Sequence, residues 1–300
     1  QDRRAIQADR IMRCAADQLD LDREYAWVSG IAMQSGTEIL APYELVGLDM
    51  RAKAPWDHQT FKMSSIGLAA GGEPDRTLLH ALLEVVEHNA TAALDLLGVG
   101  AQTAYAVRPQ DGVNSDLDQA MARVMDAGYA PKFYAIPSNI ALPVIACFME
   151  RMILSDDGAG AKLTAGFACR PDAHDAALAA LLECVQSRAT DIAGSRDDIT
   201  AADYQKSLAR LPVCADDAVP LGKVAGHHAQ SGLDTPAATL EHVIAAVLAG
   251  GAGDILVFPL ANALPGLQVT RVLVPGLDIA GTQGVSRGGA SLIDALLRGS

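Results

Sequence analysis

The sequence predicts an α/β protein in which mixed sheets pack with helices. Half of its 300 residues are hydrophobic, which is enough to bury a large core. Segments with the helical spacing of apolar residues alternate with short segments rich in strand-forming side chains. Gly and Pro residues separate these segments, as expected for turns. This alternation is typical of α/β proteins.

The first predicted elements are a helix, a hairpin and a long second helix. Residues 3–18 are Ala-rich and amphipathic, which predicts a helix, and a short connector follows. The strand signals of residues 25–33 and 38–41 flank a turn in which Gly36 can adopt a positive φ. Apolar residues then recur with a helical period over residues 75–97, which predicts the long helix.

The rest of the chain continues the alternation. Further predicted strands are residues 103–107, 132–136, 142–148, 254–259 and 268–275, and further predicted helices are residues 116–127, 175–190 and 235–249. From these elements we expect three regions along the chain. They are an N-terminal helix and connector at residues 1–24, one domain at residues 25–280, and a C-terminal tail at residues 281–300.

The charge and cysteine content narrow the functional classes. The formal net charge is −13 and the isoelectric point is near 4.8, and Lys and Arg are not clustered, so we expect no nucleic-acid partner. The five cysteines are scattered singly without a Cys-x-x-Cys pair, which is typical of a reducing compartment. No apolar run reaches the roughly 20 residues that a membrane-spanning helix needs. We therefore expect a cytoplasmic protein without a membrane partner.

The first candidate site joins a loop to the long helix. Small and glycine residues, including Ser64 and Gly71, predict a loop that lets the backbone approach a ligand. The helix then presents Glu84, Glu87 and His88 on one face. Two carboxylates together with phosphate oxygens are common ligands of Mg²⁺, so this layout predicts a phosphate-and-metal site, with Glu84 and Glu87 as metal ligands. A solvated charged helix face is the alternative interpretation.

The second candidate site lies near the end of the helix at residues 175–190. Glu183, Gln186 and Arg188 are close in sequence, and Arg196 follows in an Arg-Asp-Asp turn. Arg offers forked donors that match phosphate oxygens, so this group suits a triphosphate and its magnesium. Salt bridges between the two arginines and the aspartates beside them fit the same spacing, and both interpretations stay open.

Other reactive residue types have simpler interpretations. His227 and His228 lie in a Gly-rich segment without a carboxylate nearby in sequence, which favours surface histidines over a metal site. Cys169 and Cys184 lie in apolar stretches, which predicts buried, inert thiols. The sequence has no Gly-x-Ser-x-Gly elbow, Walker loop or dinucleotide fingerprint. These patterns assign no catalytic residue.

Three parts of the sequence resemble the YcaO family, and they occur in the family's order. They are Ser64–Gly71 with His80–Glu87, then Glu183–Asp198, then Val269–Leu277. The resemblance implies a YcaO-like fold over residues 25–280. It also implies an enzyme that uses ATP and Mg²⁺ to activate the backbone amide of a peptide or protein substrate. Attack by a Cys, Ser or Thr side chain then gives an azoline, as in a cyclodehydratase, whereas external sulfide gives a thioamide. Such reactions belong to the biosynthesis of ribosomally made, modified peptides.

The resemblance also implies roles for individual residues and for partners. Glu84 and Glu87 match the two helix carboxylates that contact nucleotide and magnesium in the family, and Gln186 and Arg188 match its Gln-x-Arg element. Family members often act with a TfuA-like or leader-peptide-binding helper. We therefore expect such a helper or an active homologue as partner, in a homodimer or a heterodimer.

The sequence differs from the family pattern at several positions. His88 replaces an Arg, Gly72 replaces an Asn, and Arg76 replaces a Glu that would bind magnesium. The family's Gly-Lys-Gly loop has no match before Tyr25, so we expect an N-terminally incomplete ATP site. A Pro-rich C-terminal tail, typical of azoline-forming members, is not seen in this sequence, which favours thioamide formation.

Three functional hypotheses follow. The first is an amide-activating ATPase that acts with a partner. The second is a catalytically degenerate family member, a pseudoenzyme that binds peptide or scaffolds an active homologue. The third is a magnesium-independent binding domain, since a fold does not fix a function.

Overall fold

A computed structural model describes residues 4–5, 24–48, 60–61, 63–97, 104–151, 163–193, 218–228, 233, 235–262 and 264–277. The strands are β1 Arg4–Ala5, β2 Trp27–Ala32, β3 Thr37–Pro42, β4 Leu68–Gly71, β5 Tyr105–Arg108, β6 Tyr129–Ala135, β7 Val144–Arg151, β8 Thr164–Cys169, β9 Val219–Pro220, β10 Leu256–Leu260 and β11 Gln268–Leu273. The α-helices are α1 Tyr43–Val46, α2 Pro74–Leu97, α3 Ser115–Asp126, α4 Ala173–Ala193 and α5 Pro236–Ala249. A short 3-10 helix spans Leu221–Lys223.

The chain forms two compact units. Unit 1 comprises Gln1–Ala93 and Gly232–Arg298, and unit 2 comprises Leu94–Ser231. Unit 1 is therefore built from two separate stretches of chain, and unit 2 from the one between them.

Unit 1 contains a six-stranded sheet in the order β1-β3-β2-β10-β11-β4. The β2–β3 hairpin turns at Gly36, which has a φ of 66°, as the sequence predicted. The late strands β10 and β11 complete this sheet, because β10 pairs with β2 and β11 pairs with β4. Small and large apolar side chains fill one part of its core, namely Ala32, Ala41, Val46, Leu256 and Phe258.

The helices of unit 1 follow the predicted spacing of apolar residues. Helix α2 begins at Pro74 in place of the predicted residue 75, and it buries the apolar positions that define its period, among them Leu82, Val85 and Val86. Helix α5 begins after Thr235, whose side-chain oxygen accepts a hydrogen bond from the N–H of Ala238.

Unit 2 contains a five-stranded sheet in the order β8-β7-β6-β5-β9. Helix α4 packs against β8 and β7, and α3 packs beside α4. Several small side chains of α4, such as Ala176, Ala177 and Ala180, are completely buried, so helix and sheet approach closely. Cys147, Cys169 and Cys184 are also buried, as was predicted for the last two.

The structure also corrects some expectations. Residues 4–5 form a strand that pairs with β3 and not the start of a helix, while residues 6–18 of that predicted helix lie outside the described residues. Part of the predicted glycine-rich loop is strand β4, because Leu68–Gly71 pair with β11. Strand β8 was not predicted at all. Among the described helices, none has an apolar stretch long enough to cross a membrane.

Candidate functional site

The first candidate site of unit 1 is centred on Glu84. Its Oε2 accepts a hydrogen bond of 3.1 Å from the backbone N–H of Gly67, so the carboxylate is held against the turn that precedes β4. On the other side of that turn, the carbonyl oxygen of Ser64 accepts a 2.6 Å hydrogen bond from Nη1 of Arg271. A carboxylate and a guanidinium group therefore hold the same short segment of backbone.

Arg271 of unit 1 was not predicted from the sequence as a site residue. It lies in β11 and is only 2% exposed, and its Nε makes no hydrogen bond within the described part of the chain. Burial lowers the pKa of this guanidinium to about 10, although the negative charge of Glu84 acts in the opposite direction. A buried cation with one unsatisfied donor is a suitable partner for an anionic ligand. Its position within Val269–Leu277, which resembles the YcaO family, was the available sequence signal.

Two glycines let the backbone take this arrangement. Gly67 has a φ of 78°, and a Cβ there would lie 2.5 Å from the carbonyl oxygen of Val272. Gly71 lies in β4 opposite Gln268, and a Cβ there would lie 2.5 Å from Oγ1 of Thr77. Glycine is therefore required at these two positions because the backbone packs closely against β11 and α2.

The remaining predicted residues of this segment lie on or beside α2. Glu87 and His88 are half-buried, as Glu84 is, so the three predicted helix residues share an accessible face. Ser64 is half-buried, and its Oγ accepts a hydrogen bond from the N–H of Ile66. Arg76, which departs from the family pattern, is exposed, and its Nε lies 3.7 Å from Oε2 of Glu73.

In unit 2, Glu183 has a similar arrangement. Its Oε2 accepts a 3.0 Å hydrogen bond from the backbone N–H of Phe167 in β8. The side chain is accessible, but desolvation by its neighbours raises the pKa of the carboxyl group, and this effect exceeds the lowering by the Phe167 N–H and by the positive charge of Arg170. A carboxylate that is poorly solvated and near the surface would gain from a bound cation.

The other predicted residues of α4 are not brought together. Gln186 is exposed and lies three residues after Glu183, on the same face of the helix. Arg188 lies about 200° further round the helix from Gln186 and is only 9% exposed. Its guanidinium group lies 6.0 Å from the centre of the Tyr129 ring, and its Nε donates to the Tyr129 hydroxyl at 3.4 Å. Arg196 lies outside the described residues.

The two units use the same spacing of acidic residues. Glu73 and Asp172 cap α2 and α4, and each accepts hydrogen bonds from the backbone N–H groups two and three residues later. Eleven residues after each cap comes the glutamate that binds a strand-side N–H group, Glu84 or Glu183. Three residues further on the helices carry Glu87 and Gln186 respectively, so each helix presents a pair of oxygen-bearing side chains.

The carboxylates and the guanidinium group of unit 1 can bind hard cations and anions, respectively. The carboxylates offer oxygen ligands of the kind that Mg²⁺ prefers, and the Arg271 guanidinium offers a donor to phosphate oxygens. The unsatisfied Nε of this buried guanidinium is the feature that packing alone does not explain. The residues present therefore fit a metal-bound phosphate compound.

Comparison with known proteins adds a family. A protein-family model described as YcaO cyclodehydratase, ATP- and Mg²⁺-binding, matches residues 3–278. A protein of Rhizobium leguminosarum bv. trifolii, named for its place in the tfuA 3′ region, is 33% identical over 282 residues. That match covers 91% of this chain and 66% of the relative, so this chain spans just under two thirds of the relative's length.

Solved structures share the fold. A YcaO protein from Methanopyrus kandleri, bound with AMPPCP and Mg²⁺, superposes with a TM-score of 0.68 at 18% identity, over 93% of this chain and 69% of that one. A heterocyclase in complex with substrate and cofactor gives a TM-score of 0.73 at 16% identity, over 99% of this chain and 42% of that one. At these identities the likeness shows the fold.

Proposed function

This chain belongs to the YcaO family, and from that premise we propose that it takes part in the ATP- and Mg²⁺-dependent activation of backbone amides in a peptide or protein substrate. The observation that carries the proposal is the arrangement of Glu84, Gly67, Ser64 and Arg271 in unit 1. It places a helix carboxylate and a buried guanidinium with an unsatisfied Nε on one short turn.

The proposed roles follow from the chemistry of each side chain. Glu84 and Glu87 hold Mg²⁺, and Arg271 neutralises phosphate oxygens near the Ser64–Gly67 turn. Within unit 2, Glu183 and Gln186 offer a pair of oxygen-bearing side chains of their own, which suits a cation bound to that unit. When bound, ATP supplies a phosphoryl group that turns the amide oxygen into a good leaving group. The residues of the chain bind, orient and neutralise charge, which is the main work of a protein in phosphoryl transfer.

We further propose thioamide formation with a TfuA-like partner. The support is the name of the Rhizobium relative, which places its gene beside tfuA. Thioamide formation needs sulfide from outside the substrate, so a second protein that delivers sulfur would complete the reaction. The proposed reaction uses ATP and reduced sulfur, and both are available in the cytoplasm.

A second candidate function is that of a non-catalytic subunit. The observation that favours it is Arg76, a cation that stands in the first turn of α2 where the family pattern has a carboxylate, while Gly72 and His88 differ as well. Such a subunit would bind peptide or hold an active homologue, in a heterodimer, without hydrolysing ATP itself.

ATP binding separates these two functions. Calorimetry of the purified chain with ATP, with and without Mg²⁺, should show binding that depends on the metal. At a hundredfold excess over the dissociation constant, bound ATP should raise the free energy of unfolding by about 2.7 kcal/mol. Glu84→Gln and Glu87→Gln should each weaken binding by about tenfold or more, because each removes a charged ligand.

Glu241→Gln is the matched control, because Glu241 is an exposed glutamate on α5 of the same unit. Its affinity for ATP should equal that of the wild type. Unchanged affinity in both α2 variants would show that the nucleotide binds elsewhere. If millimolar ATP gives no heat and no thermal shift, the ATPase function is excluded for this chain alone, and purification with an ATP-binding homologue would support the subunit.

A further inference from the structure

Three metal-binding side chains meet in unit 2, and none of them is assigned to ATP. Asp172, His174 and His227 each offer one ligand atom, and these three atoms lie within 4.8 Å of one another. Asp172 and His174 begin α4, whereas His227 follows the 3-10 helix, 55 residues after Asp172. The sequence favours a surface histidine at His227, because no carboxylate is near it along the chain. The fold brings the carboxylate of Asp172 close to His227, so the reason for expecting an ordinary surface histidine no longer applies.

His174 shows that this cluster is more than a group of polar residues at a helix end. Its side chain is 4% exposed, and neither ring nitrogen makes a hydrogen bond within the described residues. Its Nδ1 lies 3.4 Å from Oδ1 of Asp172, and its ring meets that of His227 edge to face with the centres 5.9 Å apart. Buried polar groups are nearly always hydrogen-bonded, so a buried imidazole with two unsatisfied nitrogens calls for a ligand.

The other two ligands are held in place by the backbone. Oδ1 of Asp172 accepts hydrogen bonds from the N–H groups of His174 and Asp175, which leaves its second oxygen outside these bonds. Nδ1 of His227 accepts a 3.1 Å hydrogen bond from the N–H of Ala173. The N–H of His228 donates to the carbonyl oxygen of Pro171, so the segment that carries His227 is fixed to the start of α4.

We propose that Asp172, His174 and His227 bind one divalent transition-metal ion, of which Zn²⁺ is the best match. Two imidazoles and one carboxylate are a common ligand set for zinc and for similar ions, and they leave a position for water or another ligand. Mg²⁺ is a poor match because it prefers oxygen ligands. This site is separate from the ATP proposal, which uses none of these three residues.

Metal binding requires a small local change. The ligand atoms must approach one another, since zinc lies about 2.0–2.2 Å from nitrogen and oxygen ligands. If His227 binds through Nδ1, the metal replaces its hydrogen bond from Ala173. If it binds through Nε2, the ring must turn and the proton must move to Nδ1, which also ends that hydrogen bond. Metal coordination offsets this change, because it satisfies the buried His174 and places a positive charge beside the partly buried carboxylate of Asp172.

The consequence for unit 2 is a cross-link. The ion joins the first turn of α4 to the segment after Leu221–Lys223, and these are otherwise connected by the hydrogen bonds of His227 and His228. Because such a site exists only in the folded protein, the ion should stabilise unit 2 against unfolding.

Titration with Co²⁺ and Zn²⁺ tests the proposal on the full chain. The metal-free protein should bind one Co²⁺ with the visible d–d absorption of a four- or five-coordinate site, and Zn²⁺ should displace it and raise the melting temperature. The near-ultraviolet charge-transfer band of a cobalt–thiolate bond should be absent, because no cysteine belongs to the cluster.

The variants His227→Gln and Asp172→Asn should each lower the affinity for Co²⁺ by about tenfold or more. Asn caps a helix about as well as Asp, so Asp172→Asn keeps the fold while it removes the charged ligand. His228→Gln is the matched control, since this neighbouring histidine is outside the cluster, and it should bind Co²⁺ like the wild type. Absence of binding in the wild type, or equal affinity in all three variants, would overturn the proposal. Neither result depends on ATP.

Discussion

Among single residues, Glu183 has a carboxylate whose desolvation in the folded protein costs stability. Its carboxylate receives one backbone N–H, from Phe167, but desolvation raises its pKa above the ordinary value of 4.5. The folded state therefore holds this proton to a higher pH than the unfolded state does. As the pH rises above 4.5, the unfolded chain ionises first, and stability falls until the pKa of the folded state is passed.

Glu183→Gln should remove this loss, because the amide oxygen can still accept the Phe167 N–H. The variant should match the wild type in melting temperature below pH 4.5 and exceed it at neutral pH, with a gain below about 1 kcal/mol because the side chain is accessible. Thermal unfolding across this pH range measures the difference. A difference that does not change with pH would contradict the assigned cause.

The residues that sequence reasoning found and missed differ in how far their partners lie along the chain. Glu84 and Glu87 were predicted because their spacing is local to one helix. The link between Asp172 and His227 spans 55 residues, and that between Ser64 and Arg271 spans 207. No periodicity connects such positions, so the contacts between them become visible only in the fold.

At the scale of elements, the close contact between α4 and β8 depends on Gly166. A Cβ at this position would overlap the carbonyl oxygen of Ala180 and the backbone nitrogen of Cys184. Because both are backbone atoms of α4, the clash can be relieved only by moving the helix away from the sheet. Such a movement would also disturb Glu183, which lies beside Cys184.

Gly166→Ala should therefore destabilise the protein by about 3 kcal/mol, the upper part of the range for overpacked cores. Urea unfolding followed by circular dichroism measures this change. Ala165→Ser is the control, because Ala165 is half-buried and alternates with Gly166 along β8, and its effect should stay below about 1 kcal/mol. A loss of less than 1 kcal/mol in Gly166→Ala would show that α4 can shift without cost.

The elements that the sequence predicted differ from those it did not predict in the strength of their local signals. The β2–β3 hairpin and α2 have strong local signals, namely Gly36 at the turn and a long helical period. Strands β4 and β8 consist mostly of small residues, Leu-Ala-Ala-Gly and Thr-Ala-Gly-Phe-Ala-Cys, with little intrinsic preference for strands. They are strands because β11 and β7 pair with them and because their small side chains admit a neighbouring helix.

On the scale of the whole molecule, the three cysteines described in unit 2 report on its unfolding. Cys147, Cys169 and Cys184 are completely buried, and the hydrogen bond to Cys184 together with burial raises the pKa of Cys147. A thiol reacts as the thiolate and must be reached by the reagent, so all three should resist alkylation in the native protein.

Iodoacetamide labelling with peptide mapping by mass spectrometry tests this expectation. In increasing urea the three cysteines should become labelled together, because all three are buried within the same compact unit. Labelling of any one of them in native buffer, at a rate similar to that of a model peptide, would show that the core opens locally.

The division of unit 1 into two stretches of chain has a consequence for synthesis on the ribosome. Strand β4 gains its partner β11 only after nearly two hundred further residues have been made, and Arg271 reaches Ser64 at the same late stage. By then the residues of unit 2 have already been translated and can fold first. Until β10 and β11 emerge, the nascent chain exposes the unpaired edges of β2 and β4, a state open to aggregation and chaperone capture. A ligand that needs both Glu84 and Arg271 can therefore bind and stabilise only chains whose translation has passed β11.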